Sequence, residues 1–169
     1  MILPTVRDLR LITIRRGGSL SDAHHQLLAR WAASRAEHVL PLFETEHPDD
    51  QRPRLAVEAA QSWASGGMKM MQARAVGGHA MGAARPLRGA ARFVTYAAGQ
   101  AACVPHVAKH DLGAAAYAIK AVRAAVSPAD EIEAGAREQD WQRQQLPKEV
   151  RELVLEDQAR RNDICWSVF

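Results

Sequence analysis

The sequence predicts an all-α fold: a single-domain bundle of about six to seven alanine-rich helices spanning residues 1–169, with residues 1–19 as a short extended N-terminal arm and residues 162–169 as an apolar tail docked on the bundle. Three observations carry this. Alanine supplies 32 of the 169 residues while aromatics make up 5%, and alanine has the best helix propensity with no side-chain entropy to lose. Apolar positions recur at three- and four-residue spacing along most of the chain, which is the helical period. Strand-like patterning is nearly absent; Leu11-Ile12-Thr13-Ile14 is the exception and reads as one short strand or part of the extended arm.

The elements follow in order. Ser19 or Ser21 is a good cap for a first helix reaching about Phe43. Leu28, Ala32, Ala36, Val39 and Phe43 line one face of it, and Pro41 kinks or shortens its last turn. His47 to Gln51 is a turn. A second helix runs from Arg52 or Pro53 to Ala64, with Leu55, Ala59 and Trp63 four apart, and Ser65-Gly66-Gly67 stops it. A third covers roughly Met68 to Ala84, with Gly77-Gly78 as a weak point. Pro86 opens a fourth that continues towards Val104. After Pro105, a fifth runs from His106 to Val126, and Ala108, Leu112, Ala115, Ile119, Val122 and Val126 make it wholly apolar on one face. Ser127-Pro128-Ala129-Asp130 starts a sixth, ending near Gln145. Pro147 starts the last, whose Val150, Leu153 and Val154 face inward. The tail from Ile164 to Phe169 is too apolar to stand in water.

Charge and cysteine usage narrow the function classes. From Arg52 to Arg123 ten Lys or Arg face only Glu58 and Asp111, whereas beyond Ser127 acidic residues outnumber basic ones ten to six. A basic middle third suits an acidic partner or solvates the helices. Cys103 and Cys165 match no metal spacing and read as reduced thiols. The N-terminus shows no basic start followed by an apolar run, and no stretch has the ~20 apolar residues of a membrane helix, so the sequence predicts a cytoplasmic protein without a membrane partner.

The best chemical candidate is His106-Val107-Ala108-Lys109-His110-Asp111. Histidines four apart on a helix put both imidazoles on one side, within reach of a common metal, with His79 or Asp111 as a further ligand. The zinc-protease glutamate is missing, since Val107 follows His106; the competing reading is a polar helix-interface network. Gly113, Tyr117 and Lys120 continue the same stripe, and with Lys109 they are the candidate partner-binding residues. Arg15 and Arg16, before Gly17-Gly18 and a helix start, are candidate anion ligands; a simple turn is the alternative. His24, His25 and His38 read as surface or capping residues, and Trp31 and Trp63 as core anchors. No Ser/His/Asp order, paired carboxylates or nucleic-acid motif stands out, so no catalytic residue, cofactor or nucleic-acid partner is expected.

Several segments carry a resemblance when taken together: Arg15-Arg16-Gly17-Gly18, Val39-Leu40-Pro41-Leu42-Phe43-Glu44, Arg52-Pro53-Arg54, and Cys165-Trp166-Ser167-Val168-Phe169. In this order, over about Asp8 to Phe169, they resemble the helical "putative immunity protein" family of bacterial polymorphic toxin systems. The resemblance implies a non-enzymatic protein that protects its producer by binding a cognate toxin, and it carries over no catalytic residues. Neutralisers of basic nucleases are usually acidic, because opposite potentials speed encounter; the basic middle of this chain points to an acidic or neutral toxin domain. Two other classes compete. One is a small helical metal-binding protein or metalloenzyme using His106 and His110. The other is a self-associating structural domain, since alanine faces permit close helix contact and a homo-dimer.

Overall fold

Helix α1 (Asp22–Val39) begins where Ser21 leaves the extended region and its hydroxyl accepts the His24 N–H at 3.2 Å. This fills one of the donors a helix start leaves unmet. Pro41 has no N–H to continue the ladder, so the chain tightens through a Leu40 N–H to Glu37 bond and turns once more as α2 (Pro41–Glu44). The computed structural model describes residues 7–169.

α3 (Arg52–Ala64) stops at Gly66, whose φ of 83° is open to glycine without penalty. Gly67 N–H reaches Ser62 O and Gly66 N–H reaches Trp63 O, the paired bonds that close a helix C-terminus. Its buried face holds Pro53, Ala56, Val57, Ala60 and Ala64. Leu55, expected on the inner stripe, is 47% exposed.

α4 (Met70–Ala83) passes through Gly77-Gly78 unbroken, because Gly77 is a packing residue. A Cβ there would sit 2.8 Å from the Gly99 carbonyl oxygen of α5 (Gly89–Cys103), so the glycines let the two backbones approach. α5 is the central helix, buried at every residue from Ala97 to Cys103, and it packs against α1, α3, α4 and α6. With alanine at many contacts, neighbouring helices can lie close.

The expected helix from His106 starts later. Pro105 interrupts the ladder after α5, His106 and Val107 N–H groups both return to Cys103 O, and Val107 is extended. A 3-10 turn, Ala108–His110, precedes α6 (Asp111–Ala124), where the Asp111 carboxylate accepts the Leu112 N–H at 2.6 Å. His106 and His110 therefore stand on different elements. α7 (Glu131–Gln144) follows a turn in which Ser127 Oγ donates to Asp130 Oδ2, and it starts beyond Pro128 rather than at it. α8 (Lys148–Arg161) buries Val150 and Val154 as expected.

The tail docks. Cys165 and Val168 are buried against Ala116 and Ile119 of α6, and the Phe169 N–H donates to Asn162 Oδ1 at 2.9 Å. Trp166 and Ser167 take left-handed backbone angles, with φ 60° and 53°, conformations a docked segment holds against their cost.

The N-terminal segment is not an extended arm over its described part. Residues 1–6 lie outside the described residues. Leu9–Leu11 and Ile14–Arg16 are 3-10 turns, Asp8 caps the first, and a single bridge joins Thr13 to Leu20. The strand expected at Leu11–Ile14 does not form, and among the described residues there is no strand at all. With no sheet to pair with, these backbone groups are satisfied by i to i−3 bonds and by bonds across the loop, such as Ser19 N–H to Leu9 O and Leu20 N–H to Ile12 O. Asp8 then ties the segment to α8 through Arg160 at 2.5 Å.

Two buried polar networks fasten the helices. In the first, Arg161 of α8 reaches Asp157 at 2.6 Å, Asp111 at 3.5 Å and the Lys109 carbonyl at 3.0 Å. In the second, Arg35 of α1 lies 4.2 Å from the Trp141 ring centroid of α7 and donates to Gln142 O at 3.1 Å.

Candidate functional site

The sequence candidates separate into two places. Arg15, Arg16, His106 and Lys109, from distant parts of the chain, meet around one cleft of about 760 Å³. It lies between the N-terminal turns and the α5–α6 connection, with His25 and Trp63 on its wall. Arg16 Nη1 donates to the His106 carbonyl at 3.2 Å, which fixes one edge. Arg15 pairs with Asp22 at 2.6 Å while its side chain stays 81% exposed.

His25 corrects the expectation of a surface residue. It is 5% exposed, its ring N–H donates to Val104 O at 2.8 Å, and its edge meets Trp63. Burial pushes its pKa down. Burial also lowers His106, helped by Arg74 and Arg16. Both rings are neutral at pH 7, so the positive charge of the cleft comes from Arg7, Arg15, Arg16 and Lys109.

The proposed metal set loses its geometric basis. His110 donates through Nδ1 to Gln100 Oε1 at 2.7 Å, and burial holds its pKa at about 4. Asp111 is committed to Arg161 and to its helix start, and His79 is exposed on α4. Among the described residues no group of three or more His, Cys, Asp or Glu is placed to hold a metal ion. The spacing argument failed because four residues mean one helical turn only where the backbone is helical, and Pro105 denies that here.

Asp111 gives a measurable consequence instead. Burial, opposed by Arg161, raises its pKa from 3.8 to about 7. The folded state binds this proton more tightly than the unfolded chain does. That stabilising contribution is complete below pH 4 and is lost as pH rises through 7. Asparagine keeps an oxygen for Leu112 N–H and never ionises. Wild type is therefore expected to lose up to about 1.4 kcal/mol per pH unit relative to Asp111→Asn between pH 4 and 7, as read from urea unfolding of both proteins across that range.

The second place is the outer face of α5 and α6. Lys109 and Gly113 are buried, so they leave the candidate docking stripe. Tyr117 and Lys120 remain, and the fold adds residues that the sequence reading missed. Tyr117 stacks 5.0 Å from Tyr96 and lies 4.9 Å from Trp166, with Phe93 at 6.3 Å. Lys120 Nζ sits 4.0 Å from the Trp166 centroid and 4.8 Å from that of Phe93, while Arg92 covers Tyr96 at 5.6 Å. Cations over aromatic faces at these distances are attractive. Four of the nine Phe, Tyr and Trp residues of the chain are gathered here. Their scarcity was the available signal; their convergence was not visible in any one segment.

Alanine-packed helices that carry a cationic cleft and an aromatic patch define a small all-α domain. The family described as "Imm-5 like putative immunity protein" matches residues 18–149, more than half of the chain, and the chain belongs to that family. Membership agrees with the sequence resemblance and points to an immunity-protein role. Comparison with curated proteins and with solved structures finds no match. Among the described residues no helix is long and apolar enough to cross a membrane.

Proposed function

We propose that this chain is a non-enzymatic, cytoplasmic immunity-type protein that neutralises a cognate bacterial toxin by direct contact. The contact surface is the patch of Phe93, Tyr96, Tyr117, Lys120 and Trp166. The supporting observation is the aromatic stack crowned by Lys120, with Trp166 43% exposed at its edge. Tyr, Trp and Arg side chains supply most of the energy at protein interfaces, from few positions. The basic middle third favours a toxin surface that is acidic or neutral.

The test is co-expression with the toxin encoded beside this gene, followed by calorimetry on the purified pair. Tyr117→Ala and Trp166→Ala are each expected to weaken toxin binding by about 2 kcal/mol, roughly 30-fold, and to abolish rescue of growth. Full affinity in both variants, at unchanged melting temperature, would remove the patch from the interface. Light scattering on the free protein reports whether the same face pairs two copies instead.

A further inference from the structure

The cleft between the N-terminal turns and the α5–α6 connection is chemically distinct from the aromatic patch. Arg7, Arg15, Arg16 and Lys109 line it, and Asp22 is the only carboxylate among its described lining residues. Asp22 is already engaged by Arg15. Arg16 donates to a neutral carbonyl, so its charge is not cancelled by that contact. Guanidinium groups present a planar fork of donors that matches phosphate and carboxylate oxygens. With Arg15 balanced by Asp22, Arg7 and Arg16 still leave a surplus of positive charge around the opening, which favours a multiply charged anion over a single carboxylate.

Part of the wall is apolar. Trp63, Met68, Met70 and Val107 stand beside the cations, and methionine thioethers adapt to varied shapes. A volume of about 760 Å³ lies within the range of pockets that enclose a small organic molecule, roughly 300–1,000 Å³.

We infer that this cleft is a binding site for a small organic phosphate, a phosphate ester or anhydride on an aromatic or apolar body, with Arg15 and Arg16 on the phosphate oxygens and Trp63 against the body. Its occupancy is separate from toxin contact at the patch, and it stands whether or not that proposal holds.

Calorimetry on the full chain with four probes decides the matter: ADP, glucose 6-phosphate, inorganic pyrophosphate and adenosine. ADP is expected to bind in the micromolar range. Glucose 6-phosphate and pyrophosphate should be at least tenfold weaker, and adenosine should give no heat. Arg16→Gln, an exposed position that leaves the core intact, is expected to weaken ADP at least tenfold at unchanged melting temperature. Arg92→Gln, on the aromatic patch, should leave ADP binding unchanged. Absence of ADP binding at millimolar concentration, or equal affinity in Arg16→Gln, overturns the site. Pyrophosphate binding as tightly as ADP overturns the role of Trp63 and of the organic body. If Arg16→Gln loses toxin binding while ADP never binds, the cleft belongs to an acidic segment of the partner and the proposal fails.

Discussion

Replacing Arg161 by methionine is expected to destabilise the fold by about 3–5 kcal/mol, the cost of breaking a buried ion pair from one side. The guanidinium is 1% exposed by residue and serves Asp157, Asp111 and the Lys109 carbonyl together. Those partners belong to α8, α6 and the turn before α6. Methionine fills similar volume, but the Asp157 carboxylate, only 3% exposed, then loses its closest cation. Lysine is not an adequate substitute, because a single ammonium cannot span three acceptors held by a planar fork. Urea unfolding at pH 7 measures the loss. The double variant Arg161→Met with Asp157→Leu is expected to recover part of it, since removing both charges takes away the desolvation penalty as well as the attraction. A single variant as stable as wild type would show that the network contributes nothing.

The second large effect belongs to Trp31. Its indole is 2% exposed in the core, and its N–H donates to Gln142 O at 3.2 Å. Truncation to alanine should cost about 3–5 kcal/mol through lost burial and the cavity left behind. Trp31→Phe separates the polar term from the packing term. The Gln142 carbonyl keeps its bond from Arg35 at 3.1 Å, so the oxygen is not orphaned when the indole N–H goes. The hydrogen-bond share is then at most about 1 kcal/mol, and the remaining deficit of Trp31→Phe reports ring volume. Thermal unfolding of both variants resolves the two contributions.

These two residues also show where reading the sequence succeeded and where it stopped. Trp31 was expected in the core, because an aromatic at an apolar helical position has few other places to go. Arg35 and Arg161 carried no such sign. Arginine is seldom fully buried, yet each of these is 1% exposed. Burial of an arginine depends on acceptors that arrive from other helices: Gln142 of α7 for Arg35, and Asp111 of α6 for Arg161. Periodicity along one helix contains no information about them.

The candidate sites divide in the same way. Arg15 and Arg16 were singled out beside a turn and His106 and Lys109 on a helix stripe, with nothing to connect the pairs. The cleft joins them because the N-terminal turns fold back against the α5–α6 connection. Tyr117 and Lys120 were marked as an outward stripe and do lie near the surface, but Phe93, Tyr96 and Trp166 reach them only through helix pairing and tail docking. Lys109 and Gly113 went the other way. The stripe places them on a polar face of the fifth helix, and the fold buries both, because alanine at Ala114, Ala115, Ala116 and Ala118 lets neighbours close around α6 on more than one side.

Alanine abundance, helical spacing, a serine cap at Ser19 or Ser21 and the Gly66-Gly67 stop were sufficient for the all-α class and for most helix boundaries, since each acts within a few residues along the chain. Which polar groups are buried, which cations share a cleft and which aromatics meet at the surface follow from how the helices pack. An alanine face accepts almost any neighbour at short range, so it favours packing without specifying the partner. That choice comes from the larger side chains and buried charges of the assembled bundle, whose mates are distant in sequence.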